Sequence, residues 1–312
     1  MIEILTIIAP VFMLMILGYA LGRTSLFPEG SSHILITFVW WVGIPSLLFR
    51  AIASSELPSY SELTLVLGYY SALYLIYFSA FYIGKLIFTQ STAEAGVFGL
   101  STCFANGAFI GIPIIDGAYG NEGVRMLLVL LSFHTLTLIP ITTFIVERAK
   151  TKGNSTGLIV RTFASIRQNP ILIALIIGLC WSAFHIPVPA WLDRFLAFPA
   201  QAAAPVGLFA AGMALSYVKI SGDLAQATAS TFLKLIMLPI GAYIITKQVL
   251  DLPDIWVGTA TLMGALPTGM IAYSFADKQG VAPRRAATTV LLSTALSAFT
   301  LSFLLFVLRT IT

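Results

Sequence analysis

The chain has 312 residues, of which 58% are hydrophobic and only 10% charged, and its formal net charge is +4. Soluble domains carry roughly 25% charged residues, and no polar half of this chain could stand in water as a separate domain, so composition excludes a soluble protein and indicates a polytopic membrane protein. The positive balance takes its meaning from its placement along the chain, not from a nucleic-acid partner.

A membrane-spanning helix needs about 20 mostly apolar residues. Ten stretches qualify: 3–22, 31–52, 62–88, 94–118, 122–146, 169–186, 191–216, 224–250, 254–277 and 284–309. The first, with its apolar run from Ile4 to Leu21, has no basic leader and is followed by Gly22-Arg23-Thr24 instead of a small-x-small cleavage pattern. It reads as a retained span rather than a signal peptide. Cys103 and Cys180 both fall in apolar stretches without metal-ligand spacing and read as small packing residues.

Connections are short except at 147–168, a loop that carries Arg148, Lys150, Lys152, Arg161 and Arg167. Positive charge beside span ends stays cytoplasmic. With this loop inside, Arg23, Lys85, Lys219, Lys278, Arg284 and Arg285 are inside too, while the smaller set Arg50, Arg125, Arg194, Lys247 and Arg309 is outside. Both termini are therefore expected to be extracytoplasmic.

The same loop separates two sets of five spans, 1–146 and 169–312, that resemble each other. Pro10 with Gly18 in the first span matches Pro170 with Gly178 in the sixth, and "VGIPSLLF" from Val42 matches "VGLFAAGM" from Val206. The fourth span is interrupted between Asn106 and Pro113, the ninth at Gly264–Gly269. An odd number of spans per set makes the second enter the membrane from the opposite side, which gives an inverted repeat of the kind frequent in secondary transporters.

Proline removes a backbone donor and glycine weakens a helix. In hydrocarbon an unpaired backbone group is costly, so broken helices persist there only where protein or a water-filled cavity satisfies them. Each break alone could be a kink with close glycine packing. Two in equivalent positions point to a midplane binding site. Pro113 suits the first turn of a new half-helix, and Pro267 with Thr268 suits the other. Two half-helix N-termini facing each other form an anion site without Lys or Arg, with the Asn106 amide and the Thr268 hydroxyl as added donors. A carboxylate is the expected ligand.

These residues resemble the auxin efflux carrier family. Its fourth-span pattern appears as Asn106, Gly111-Ile112-Pro113 and Tyr119-Gly120, and its ninth-span pattern as Ala265-Leu266-Pro267-Thr268-Gly269, Phe275-Ala276 and Val281-Ala282-Pro283. The resemblance covers the whole chain. It implies an all-α membrane protein of ten transmembrane helices as two inverted five-helix repeats, with spans four and nine broken and crossing at Pro113 and Pro267. It further implies a scaffold of spans one, two, six and seven, homodimeric through those spans, and a moving transport domain of spans three to five and eight to ten that works as an elevator. Asn106 would hold the substrate carboxylate, with Gly111, Ile112, Pro113, Ile114, Leu266, Pro267, Thr268 and Gly269 around it. The long central loop of plant members is absent, which suits a bacterial inner-membrane carrier. Bacterial relatives commonly carry malonate or malate labels.

Other polar residues inside spans have two readings each. Lys234, deep in span eight, is a partner for a second substrate carboxylate or for Asp116, or else a snorkelling or structural residue. Asp116 is a proton-coupling group or a cap at the extracytoplasmic end. His134 is a proton shuttle or a hydrogen-bonded structural residue. Tyr69, Tyr70, Tyr74 and Tyr77 on span three are packing and interface residues, or one of them lines the ligand cavity. No nucleophile elbow, phosphate loop or metal-spaced His/Cys set occurs, so neither an enzyme nor a cofactor is expected. An anion channel or a membrane sensor on the same fold is the alternative to a carrier. The lack of charged rings or a filter motif speaks against the channel, and the lack of a soluble output domain against the sensor.

Overall fold

The structure, a computed structural model, describes residues 2–28, 30–54, 60–150, 170–217 and 223–311. Most of the basic 147–168 loop, including Lys152, Arg161 and Arg167, lies outside the described residues, as does Lys219. The described backbone is helical apart from connections and one isolated β-bridge.

In chain order the helices are α1 (Ile2–Gly22), α2 (Ser31–Ala53), α3 (Tyr60–Leu86), α4 (Thr92–Cys103), α5 (Gly107–Lys150), α6 (Pro170–Ala183), α7 (Ala190–Tyr217), α8 (Leu224–Val249), α9 (Asp254–Ala265), α10 (Met270–Gln279) and α11 (Pro283–Ile311). Local chemistry sets their ends. The Ser91 hydroxyl and Glu94 carboxylate form a reciprocal capping box at the start of α4, and Asp223 accepts from Ala225 N and Gln226 N at the start of α8. α10 ends at Gly280, whose φ of 64° is the left-handed conformation that closes a helix.

Among the described residues, seven helices are long and apolar enough to cross a membrane, against the ten expected stretches. The three missing ones have local reasons. Expected spans four and nine are interrupted, so neither α4 nor α9 and α10 reaches the needed length. Expected span six starts at the edge of the described residues, leaving α6 short. Expected span five is joined to the second half of span four in α5, although Gly120, at φ 62° and ψ −154°, departs from helical geometry there.

Three of the prolines inside helices follow a π-turn. The π-turns Val39–Gly43, Gly107–Gly111 and Leu233–Met237 are followed by Ile44, Ile112 and Leu238, each donating its N–H to the carbonyl five residues back, and Pro45, Pro113 and Pro239 come next. Proline cannot donate, and its ring crowds the carbonyl of the preceding turn. The wider turn shifts the register just ahead of it and lets the helix continue.

The helices pack as two groups. α7 packs on α1 and on α2, and α2 on α6, while α3, α4, α5, α8, α9, α10 and α11 form a second group that α1 and α7 also touch. In the first, α1 and α7 meet backbone to backbone. A Cβ on Gly18 would lie 2.1 Å from Phe209 O, and one on Gly212 would lie 2.0 Å from Met15 O. Arg50 ties α2 to α7 through a two-pronged pair with Asp193 at 2.7 and 3.1 Å. Large apolar side chains such as Ile16, Leu75, Phe299 and Phe303 are exposed on the outside, the arrangement of a multi-pass protein in lipid.

Candidate ligand-binding cavity

α4 stops at Cys103, and the helix resumes at Gly107; α9 stops at Ala265, and α10 starts at Met270. Leu266, held before Pro267, is extended at ψ 148°, as a residue before proline prefers. The two gaps meet. Asn106 N donates to Pro267 O and Gly269 N donates to Phe104 O, both at 2.8 Å, so Ala105 and Thr268 face each other in an antiparallel bridge. In such a pair the N–H groups of the central residues point away from the partner strand. Ala105 N donates to His134 Nε2 at 2.8 Å, and Thr268 N donates to Ser293 Oγ at 3.0 Å. The orphan carbonyls are met too: Thr268 Oγ1 donates to Ser101 O at 2.7 Å, and Lys234 Nζ donates to Gly264 O at 2.8 Å. The cost of an open backbone at this depth is thus met by side chains from neighbouring helices.

His134 has a defined role in this network. Its Nε2 accepts, so the ring proton sits on Nδ1, which faces Tyr70 Oη at 3.4 Å, and that hydroxyl donates to Leu130 O at 2.7 Å. Tyr77 likewise bonds Gly96 O and Thr142. The span-three tyrosines are packing and network residues, and none of Tyr69, Tyr70, Tyr74 and Tyr77 lines the cavity described next.

A cavity of about 860 Å³ lies between the two helix groups. Its floor is the crossing: Phe104 to Phe109, Gly269 to Ile271 and His134. One wall is α2, with His33, Thr37, Trp40, Ile44 and Leu48, and the cavity extends to the exposed Tyr217, Asp277 and Arg284. Lys150 bonds Gln279 at this same end, so the basic loop departs from the end toward which the cavity extends. At the floor two helices begin. The first-turn N–H groups of Gly107, Ala108 and Phe109, and those of Met270 and Ile271, have no intrahelical acceptor. All five residues line the cavity. Asn106 is 8% exposed, its side chain does not cap the helix behind it, and among the described residues it has no side-chain hydrogen bond. The cavity therefore offers amide donors and two partially positive helix ends in an otherwise apolar setting.

Of the residues expected at the site, Asn106, Ile112, Gly269 and His134 line the cavity. Leu266, Thr268 and Ile114 are fully buried behind it. Gly111 faces the Leu266 side chain, where a Cβ would come within 2.7 Å. Pro267 contributes its carbonyl to the bridge. Pro113 is not at the crossing: the half-helix begins at Gly107, and Pro113 follows the π-turn. Lys234 is fully buried and away from the cavity, and Asp116 is exposed with no contact to it. The α2 wall was missed. Its signal was the polar and aromatic residues His33, Thr37 and Trp40 at helical spacing, continued by the aliphatic Ile44 and Leu48.

A family model described as membrane transport protein matches residues 3–305. The chain is 25% identical over 310 residues, 99% of its own length and 97% of the relative's, to a protein of Rhizobium meliloti (strain 1021) named "Putative malonate transporter". It is 23% identical over 288 residues, 91% of each chain, to an uncharacterized transporter of Escherichia coli (strain K12). It is 24% identical over 301 residues, 93% of this chain and 94% of the other, to an uncharacterized transporter of Methanothermobacter thermautotrophicus.

Proposed function

The chain belongs to the membrane transport protein family, the auxin efflux carriers, whose members are transporters and not enzymes, and from that premise we propose that it carries a small organic anion by alternating access. The observation that carries this reading is the cavity floor, where the Asn106 amide and two helix N-termini without side-chain caps converge. A carboxylate suits that set of donors. The volume of about 860 Å³ falls within the range of small-molecule sites. A short dicarboxylate such as malonate is the preferred substrate, on the printed name of the Rhizobium relative.

In this reading the chain holds ten spans as two inverted five-helix repeats, 1–146 and 169–312. The likeness of the two interruptions supports it: each has a reciprocal bridge bond, an outward N–H accepted by a side chain from a later helix, and a carbonyl closed by a side chain. The α1, α2, α6 and α7 group is the scaffold. The other group, which owns the crossing, moves against it as an elevator. With the basic loop cytoplasmic, the cavity reaches toward the cytoplasm, and the molecule is in an inward-facing state in a bacterial inner membrane.

Reconstituted protein tests the reading with radiolabelled malonate. A carrier gives saturable uptake that is accelerated by malonate on the opposite side. Conductance without counterflow would make the protein a channel. Failure of malonate, malate and other short carboxylates both to bind and to be taken up would overturn the reading.

A further inference from the structure

The cavity carries unlike chemistry at its two ends. Its floor offers neutral amide donors and partial helix charges. Among the residues that line it, Arg284 is the one permanent cation and Asp277 the one carboxylate. Met270 stands at the floor and Asp277 at the far end, seven residues on along α10, which is about 10 Å of helix. Pro283, Arg284 and Ala287 bring the start of α11 against the cavity.

Arg284 differs from the other cations at this end of the molecule. Lys150 bonds Gln279, and Arg285 stands 3.5 Å from Glu94. Lys278 is exposed, and none of these three lines the cavity. Arg284 lines it, and among the described residues no carboxylate stands within ion-pair distance of its guanidinium. It also lies in the first turn of α11, which has no acidic residue and where the helix dipole disfavours a cation. Glu94 offsets that for Arg285, and no protein anion does so for Arg284. A guanidinium that faces a ligand cavity with its fork unoccupied suits a carboxylate, which it can hold with two parallel bonds. Malonate seated at the crossing is too short to span about 10 Å, so a guanidinium at the mouth serves a longer diacid. Asp277, at the same end, opposes any anion there.

We propose that Arg284 is a second anchor of the site: while one carboxylate sits at the crossing, the guanidinium holds the other carboxylate of a dicarboxylate longer than malonate, such as glutarate. The proposal rests on the reading of the cavity floor as a carboxylate site.

The test is titration calorimetry of the purified full-length protein with glutarate, with valerate as the monocarboxylate of equal carbon number, and with malonate. The wild type should bind glutarate more tightly than valerate. Arg284→Gln should weaken glutarate about three- to tenfold, a loss between that of an exposed ion pair and that of a hydrogen bond to a charged group. It should leave valerate within about twofold and weaken malonate less than glutarate. Arg284→Lys, which keeps the charge without the fork, should recover part of the glutarate affinity. Lys278→Gln removes a neighbouring charge outside the cavity and should change neither ligand. If Arg284→Gln cannot be purified, Asp277→Asn decides, and it should tighten glutarate while leaving valerate unchanged. Equal binding of glutarate and valerate by the wild type, equal loss of both in Arg284→Gln, or the same loss in Lys278→Gln would overturn the proposal and leave the floor reading standing. Failure of all three acids to bind the wild type would overturn both.

Discussion

Ala105 and Thr268 face each other across the only β-bridge among the described residues, and the outward N–H of each is taken by a single side chain, His134 Nε2 for one and Ser293 Oγ for the other. The two acceptors thus support one structure from opposite sides. His134→Leu should leave the buried Ala105 N–H unpaired and cost about 1–3 kcal/mol. His134→Gln, whose side-chain oxygen can stand near the lost Nε2, should recover most of that. Ser293→Ala should cost a similar amount. Because both act through one bridge, the double variant should fall short of the sum by about 0.5 kcal/mol or more. Denaturation of the four proteins in detergent measures this, and full additivity would show that the bridge does not couple them.

Asn106 supplies an amide to the cavity but no side-chain bond to the described protein. Asn106→Ala should leave unfolding of the ligand-free protein nearly unchanged. It should weaken anion binding roughly ten- to hundredfold, the equivalent of losing one hydrogen bond to a charged group. Asn106→Asp keeps the shape and adds a negative charge, so it should abolish binding of a carboxylate. Titration calorimetry with malonate separates the cases, and wild-type affinity in the alanine variant would remove Asn106 from the site.

The apolar runs made the membrane class legible, because lipid demands length and composition before anything else. The interruptions were legible to within a few residues. Their exact place was not: Pro113 looked like the breaker, yet a π-turn carries the helix through it, as it does at Pro45 and Pro239. The break falls at Phe104–Asn106, where no proline stands, because the bridge to Pro267–Gly269 and the His134 bond pay the backbone elsewhere. That is a tertiary effect with no local signature. Lys234 was conspicuous as a charge in a span, but its partner is a backbone carbonyl, which no pattern of side chains reveals. Asp116 looked like its natural counter-ion and is instead exposed.

Gly18 and Gly212 set the distance between α1 and α7. A methyl group on Gly212 would sit 2.0 Å from Met15 O, and backbone cannot yield as a side-chain tip can. Gly212→Ala should push the helices apart and cost about 1–3 kcal/mol, the usual range for overpacking. Gly280→Ala is a useful contrast: nothing lies within 4 Å of the added carbon, and the φ of 64° alone is penalised, at about 1–2 kcal/mol. Unfolding midpoints should fall in both, but only Gly212→Ala should disturb α1–α7 crosslinking between cysteines placed along that seam. Unchanged crosslinking in Gly212→Ala would mean that the contact relaxes without moving the helices.

The direction in which the cavity faces depends on which end of the molecule is cytoplasmic. Lys278 is exposed beside Asp277 at the end the cavity reaches, and Asp251, 90% exposed in its side chain, lies at the other end between α8 and α9. The proposed topology puts the Lys278 end in the cytoplasm, on the ground that Lys150 leads into the basic loop there. Of the native cysteines, Cys103 is buried and Cys180 exposed, so a Cys180→Ser background suffices. In it, Lys278→Cys should resist an impermeant maleimide in intact cells and react in inverted vesicles. Asp251→Cys should do the reverse. If Lys278→Cys labels readily from outside, the topology is inverted, and the cavity opens to the exterior instead. If malonate protects an Ala108→Cys variant from a small permeant maleimide while leaving Lys278→Cys reactive, the ligand sits at the crossing and not at the mouth. Equal reactivity of both positions with and without malonate would place the binding site elsewhere in the molecule.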